Sequence, residues 1–178
     1  MIDNVELEIG GQKIDKHYGY WMEIWAELTE PNPTGHTGTA NDSAGTIFQN
    51  MSKMGGVKGE ATGGEKAFVP LQFWFCRNPG LALPLIALQY HEVKIIITFG
   101  AAVNSTNYSL WCDYVYLDTD ERRRFAQVSH EYLIEQVQHQ EFAQGSTHDL
   151  TLNHPVKELV MAGAWSSGAF GTVSAAGT

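Results

Sequence analysis

The sequence predicts an all-β fold, a β-sandwich or jelly roll with short helices in the connections. Three observations predict it. Short runs of β-favouring residues recur between Gly, Pro and Asn turn signals, helices are few and short, and no strand–helix–strand alternation is present. A chain of 178 residues suits one ordinary domain, or one domain and part of another.

The first element is a strand. Val5, Leu7 and Ile9 alternate with Glu6 and Glu8, the pattern of a half-buried strand, and Gly10 and Gly11 close it with a turn. The period then changes. Tyr18, Trp21, Met22, Trp25 and Leu28 fall at helical spacing, with Lys16, Glu23 and Glu27 free to face water. Asp15 is the expected N-cap, Pro31 and Pro33 stop the helix, and the Trp/Met stripe is expected to be core. From Glu30 to Lys66 the chain loses periodicity and is rich in Gly, Thr, Ser and Asn, which predicts a long surface loop.

Phe68 to Phe75 is apolar on both faces and predicts a covered strand, broken by Asn78, Pro79 and Gly80. Leu81 to Tyr90 predicts a turn or two of helix. Glu92 to Phe99 predicts a strand with Val93, Ile95, Ile97 and Phe99 on one face, and Leu110 to Leu117 predicts another. Asp118 followed by Glu121 reads as a capped helix start, continued by Arg122, Arg123 and Arg124. Further strands are expected over Glu131 to Gln138, Asp149 to Asn153 and Val156 to Met161. After Ala162 the pattern dissolves into Gly, Ala, Ser and Thr.

Composition narrows the function. The net charge of −9, with only 11 Lys and Arg, argues against a surface that grips nucleic acid. Cys76 and Cys112 lie in apolar runs, where two buried free thiols in a reducing setting are expected rather than a disulfide scaffold. No segment has the order of a signal peptide. The longest apolar stretch, Leu81 to Leu88, is too short for a membrane span and contains Pro84, so a soluble chain is expected. Asn41, Asn50, Asn104 and Asn107 match the glycosylation sequon, a short motif that matters only on a secretory route.

No catalytic, cofactor-binding or metal-ligating residue can be named. His91 with Glu92 and His130 with Glu131 begin like a zinc-protease motif, but neither has the second His. His130, His139 and His148 are spaced too widely to share a face. Ser166 and Ser167 lack the flanking glycines of a nucleophile elbow, and Gly55 to Gly59 and Gly63 to Lys66 lack phosphate-loop spacing. The acidic pairs Asp120/Glu121 and Glu23/Glu27 have helix-surface explanations. The balance favours a protein whose product is shape.

Three ordered blocks carry a resemblance. The stretch VPLQFWFCRNPGLALPLIALQYHEVKI, Val69 to Ile95, resembles the signature region of the major capsid proteins of nucleocytoplasmic large DNA viruses. So do VELEIGGQKIDKHY, Val5 to Tyr18, and DYVYLDTDERRRFAQ, Asp113 to Gln127, which leads into HEYLIEQVQ, His130 to Gln138. Asn153 to Val160 is similar in kind. The resemblance implies a double jelly roll, three chains of which form a pseudo-hexagonal capsomer in an icosahedral shell. It implies that residues 1–127 are the later part of a first jelly roll ending in a connector helix, and that 128–178 open a second. Members of the family are longer, so the chain is expected to be a partial sequence that aggregates in isolation through open sheet edges. The implied partners are other copies of the chain and minor capsid proteins, with no cofactor, no direct nucleic-acid contact and no membrane span. The implied setting is the virion, assembled inside the infected cell. The rival expectation is a jelly-roll binding module that recognises a glycan or cell-surface ligand through the 30–66 loop.

Overall fold

A computed structural model of the chain describes residues 2–30, 47–52, 67–100, 108–143 and 147–162. By contacts the chain divides into two units, Met1–Gln138 and His139–Thr178.

The first unit is organised by a three-stranded antiparallel sheet of order β2-β1-β3, built from β1 (Ile2–Ile9), β2 (Gln12–Tyr18) and β3 (Val93–Phe99). Strands β1 and β2 form a hairpin whose turn is Gly10 and Gly11, both at positive φ (60° and 80°), a region that disfavours side chains. Register places Val5 opposite His17 and Ile97, and Leu7 opposite Asp15 and Ile95. Alternation therefore sends Val5, Leu7, Ile95 and Ile97 to one face. Glu6, Glu8 and Lys94 go to the other. Between Leu7 and Glu8 the hairpin register slips: Leu7 faces Asp15 and Glu8 faces Lys13, so Ile14 is the extra residue of a bulge.

The core lies on the inner face. Val5, Leu7 and Phe73 are fully buried, joined by Met22, Ala26 and Trp74. Each large side chain buried in this way stabilises by about 1.5–3 kcal/mol. Helix α1 (Gly19–Thr29) lays Met22 and Ala26, one turn apart, on that face. It ends where Glu30, the residue before Pro31, takes an extended conformation that proline's ring enforces on its predecessor.

Several expectations change. Asp15 is not a helix cap; it sits in β2, and the helix begins at Gly19 with no side-chain cap. Pairing with β1 holds residues 12–18 extended, and a ladder outweighs the weak helical spacing of Tyr18 with Trp21. The Trp/Met stripe is only partly core: Met22 is buried, Trp21 and Trp25 are half-buried, and Leu28 is exposed. Helix α2 (Ile47–Ser52) interrupts the predicted 30–66 loop, while 31–46 and 53–66 lie outside the described residues. So do the sequons at Asn41, Asn104 and Asn107.

The Phe68–Phe75 run is not a strand. Residues 67–73 are irregular and α3 (Trp74–Arg77) begins at the most apolar point, burying Phe73 and Trp74 but leaving Phe68 exposed. Asn78 breaks it as expected: its side chain accepts a hydrogen bond from the Gly80 amide (2.9 Å) at the start of a 3-10 turn, Pro79–Leu81. Turns rather than regular helix follow, with the amides of Ala87 and Leu88 donating to the Pro84 carbonyl.

The predicted strands at 110–117, 131–138, 149–153 and 156–161 join no ladder among the described residues. Their side chains still alternate in places, as Tyr132 and Ile134 do, but alternation alone supplies no hydrogen-bonding partner. Helix α4 (Thr119–Gln127) matches expectation closely. Asp118 caps it by accepting from the Glu121 amide at 2.8 Å, and Asp120 and Glu121 lie in its first turn. Both cysteines are exposed free thiols rather than buried ones.

In the second unit the Gln140 side chain brackets the backbone of Thr151, donating to its carbonyl at 2.8 Å and accepting from its amide at 3.4 Å. Phe142 packs on His148 with ring centroids 4.8 Å apart. The buried apolar cluster belongs wholly to the first unit.

Candidate functional site

Chemistry-bearing side chains gather in two places, and apolar surface gathers in two more. The first polar group is buried. Asp15 and His17 are consecutive inward positions of β2, 4% and 2% exposed. Asp15 Oδ2 lies 3.1 Å from His17 Nε2, while its Oδ1 accepts from the amides of Lys16 (2.9 Å) and Val137 (3.1 Å). The His17 ring stacks on Phe73 at 4.5 Å, and its Nδ1 is buried with no partner among the described residues. A carboxylate with every oxygen engaged, facing a ring sealed by an aromatic, has no open position for a substrate. Such a pair holds structure. Hydropathy gave no sign of it, since alternation in β2 favours Ile14 and Tyr18 for burial.

The second is the outer face of the sheet. Glu6 Oε1 bridges the Lys13 and Lys16 ammonium groups, each at 2.8 Å, and Lys94 reaches Glu92 (3.2 Å) and Glu8 (3.5 Å). The hydrogen bond from Lys13, then that from Lys16, holds the Glu6 carboxyl below its ordinary range. These are cross-strand pairs on a solvated face, each contributing little alone. Among the described residues no three His, Cys, Asp or Glu side chains come together in a way that could hold a metal ion. The two His-Glu pairs stay apart in role: the His91 ring lies against Gly10, while His130 stacks on Phe125 and lies 2.9 Å from that residue's carbonyl.

The apolar surface is more telling. A cleft of about 430 Å³ lies between the turns at 81–88 and the segment after α4, walled by Leu81, Pro84, Leu88, Phe125 and Ile134. Beyond β3, the 108–117 segment presents Tyr108, Leu110, Trp111, Tyr114, Val115 and Tyr116, all more than half exposed, with Trp111 at 87% and Tyr116 at 92%. Apolar and aromatic surface on this scale exceeds the scattered single exposures usual on a protein surface. No helix among the described residues is long and apolar enough to cross a membrane.

Comparison with known proteins gives a consistent picture. A family model described as the major capsid protein N-terminus matches residues 1–118. The chain is 52% identical over 171 residues to the major capsid protein of Pyramimonas orientalis virus, covering 90% of this chain and 41% of that protein. It is 42% identical to that of Paramecium bursaria Chlorella virus 1, covering 89% and 39%, and 42% identical to capsid protein 1 of Acanthamoeba polyphaga mimivirus, covering 89% and 31%. The chain thus spans well under half the length of these relatives. Among solved structures, the PBCV-1 virus capsid matches with a TM-score of 0.59 and 43% identity over 76% of this chain and 33% of that one.

Proposed function

The chain belongs to the viral major capsid protein family, and on that premise we propose that it is part of the structural subunit of an icosahedral virus shell. The observation that carries the reading is the 52% identity to a viral coat protein sustained over 90% of the chain. The exposed aromatic segment at 108–117 supports it, because apolar surface of this kind is buried in a shell, by the remaining strands of the subunit or by neighbouring copies.

On this reading the whole protein is a double jelly roll, three copies forming a pseudo-hexagonal capsomer that tiles the virion. Residues 1–127 contribute the later part of the first sandwich and α4 is the connector. Residues 128–178 open the second. The subunit performs no catalysis, and its partners are its own copies and minor capsid proteins. The segment at 110–117, strand-like in sequence but without a ladder among the described residues, is a place where further strands complete the sheets.

The test is to express the full-length protein carrying this chain and measure native mass and particle shape. Trimers that pack into hexagonal arrays are expected. A stable monomer that binds an arrayed glycan instead would overturn the reading in favour of a binding module.

A further inference from the structure

The last residues of the first unit make an unusual run of attachments. Ile134 packs against the core cluster. Glu135 pairs with Arg77 at 3.0 Å, and that guanidinium sits 5.0 Å over the ring of Trp25 in α1. The Gln136 side chain donates to the carbonyl of Ile14, and the Val137 amide donates to buried Asp15 at 3.1 Å. Four successive residues are each fastened, one to the core, one to α3 and two to adjacent residues of β2. The unit ends one residue later, at Gln138.

The receiving side is built for this. Ile14 is the extra residue of the β1–β2 bulge, and a bulged residue is left out of the ladder. Its carbonyl is the group that Gln136 takes. Asp15 beside it is turned inward and oriented by His17, which is itself clamped on Phe73. Among the described residues β2 is an edge of the sheet, where unpaired backbone groups invite strand addition. Segment 134–137 takes the Ile14 carbonyl and the Asp15 carboxylate of that strand without forming a strand itself.

We propose that the Ile14 bulge and buried Asp15 form a clasp that seizes the chain at residues 134–137, ending the first unit at a fixed point and guarding the β2 edge. Asp15 is the positioning residue, acting through the Val137 amide. The clasp concerns the first unit alone; that the next unit is a second sandwich rests on the function proposed above.

The experiment is amide hydrogen exchange over 134–138 in the full-length protein. In Asp15→Leu, which keeps bulk but removes the acceptors, exchange at Val137 is expected to accelerate by about tenfold or more while β1 and β3 amides hold their rates. Asp15→Asn retains an oxygen acceptor for Val137 and restores most of the protection. Should Asp15→Leu melt the whole sheet, Glu135→Ala combined with Gln136→Ala decides, since it removes two exposed side chains and spares the core. Unchanged exchange over 134–138 in that double variant, or Asp15→Asn as fast as a folded Asp15→Leu, overturns the clasp. Capsomer mass measured on the wild-type sample reports separately on the coat-protein reading.

Discussion

Replacing Phe73 with alanine tests where the core of the first unit lies. Phe73 is fully buried, its ring 4.5 Å from that of His17 and 5.7 Å from that of Phe75. Removing a buried phenyl ring costs about 3–5 kcal/mol, cavity included. Of this, about 0.5–1.5 kcal/mol belongs to ring–ring geometry beyond burial. Set against a domain stability of about 5–15 kcal/mol, such a loss is severe. Phe68 supplies the control from the same run: it is 51% exposed, and Phe68→Ala is expected to cost about 1 kcal/mol. The assay is denaturant unfolding of the full-length protein followed by tryptophan fluorescence, comparing midpoints at unchanged slope. Phe68 and Phe73 would lie on opposite faces of a strand, and a strand covered on both sides would make the two substitutions cost alike. Equal costs, or a larger one for Phe68, would refute the irregular, one-sided burial described above.

Other expectations follow from single contacts. A methyl group on Gly10 would meet His91 Nδ1 at 2.6 Å, whereas one on Gly11 meets nothing within 4 Å. Gly11→Ala should therefore cost only left-handed strain, about 1–2 kcal/mol, and Gly10→Ala more; truncating His91 to alanine should recover the difference in a double-mutant cycle read by thermal melts. Because the two lysines lower the folded pKa of Glu6, its contribution is present above the unfolded value, about pH 4.3, and is lost as pH falls through the folded value. The stability gap between wild type and Glu6→Gln should close toward acid pH; a gap independent of pH would sink the assignment. Asp118→Ala should destabilise α4 by about 1 kcal/mol and speed exchange of the Glu121 amide, with no such effect from the exposed neighbour Asp120.

Legibility in the sequence followed the range of the interaction. The hairpin turn at Gly10 and Gly11, the alternation of β1 and β3, the Asn78 turn and the Asp118 cap are set by residues within a few positions of one another, and each is found where expected. The helix before Pro31 was also readable, but its start was not. Asp15 has the right chemistry for a cap, and only pairing of residues 12–18 with β1 assigns it to the sheet interior. The buried Asp15–His17 pair had no signal at all, because its stabilising partners, Phe73 and the Val137 amide, lie far along the chain.

The sequence by itself determined the family, through long ordered blocks, and the local punctuation of the fold. Tertiary structure alone decided which β-favouring runs become strands. β1 finds a partner in β3 far along the chain, as the contact of Glu8 with Lys94, 86 residues apart, illustrates. The equally apolar run at 68–75 instead stays irregular up to Phe73 and enters a turn of helix only at Trp74, and 110–117 stays without a ladder among the described residues. The reason is physical: a strand is stabilised by hydrogen bonds and packing from a neighbour that local pattern does not specify.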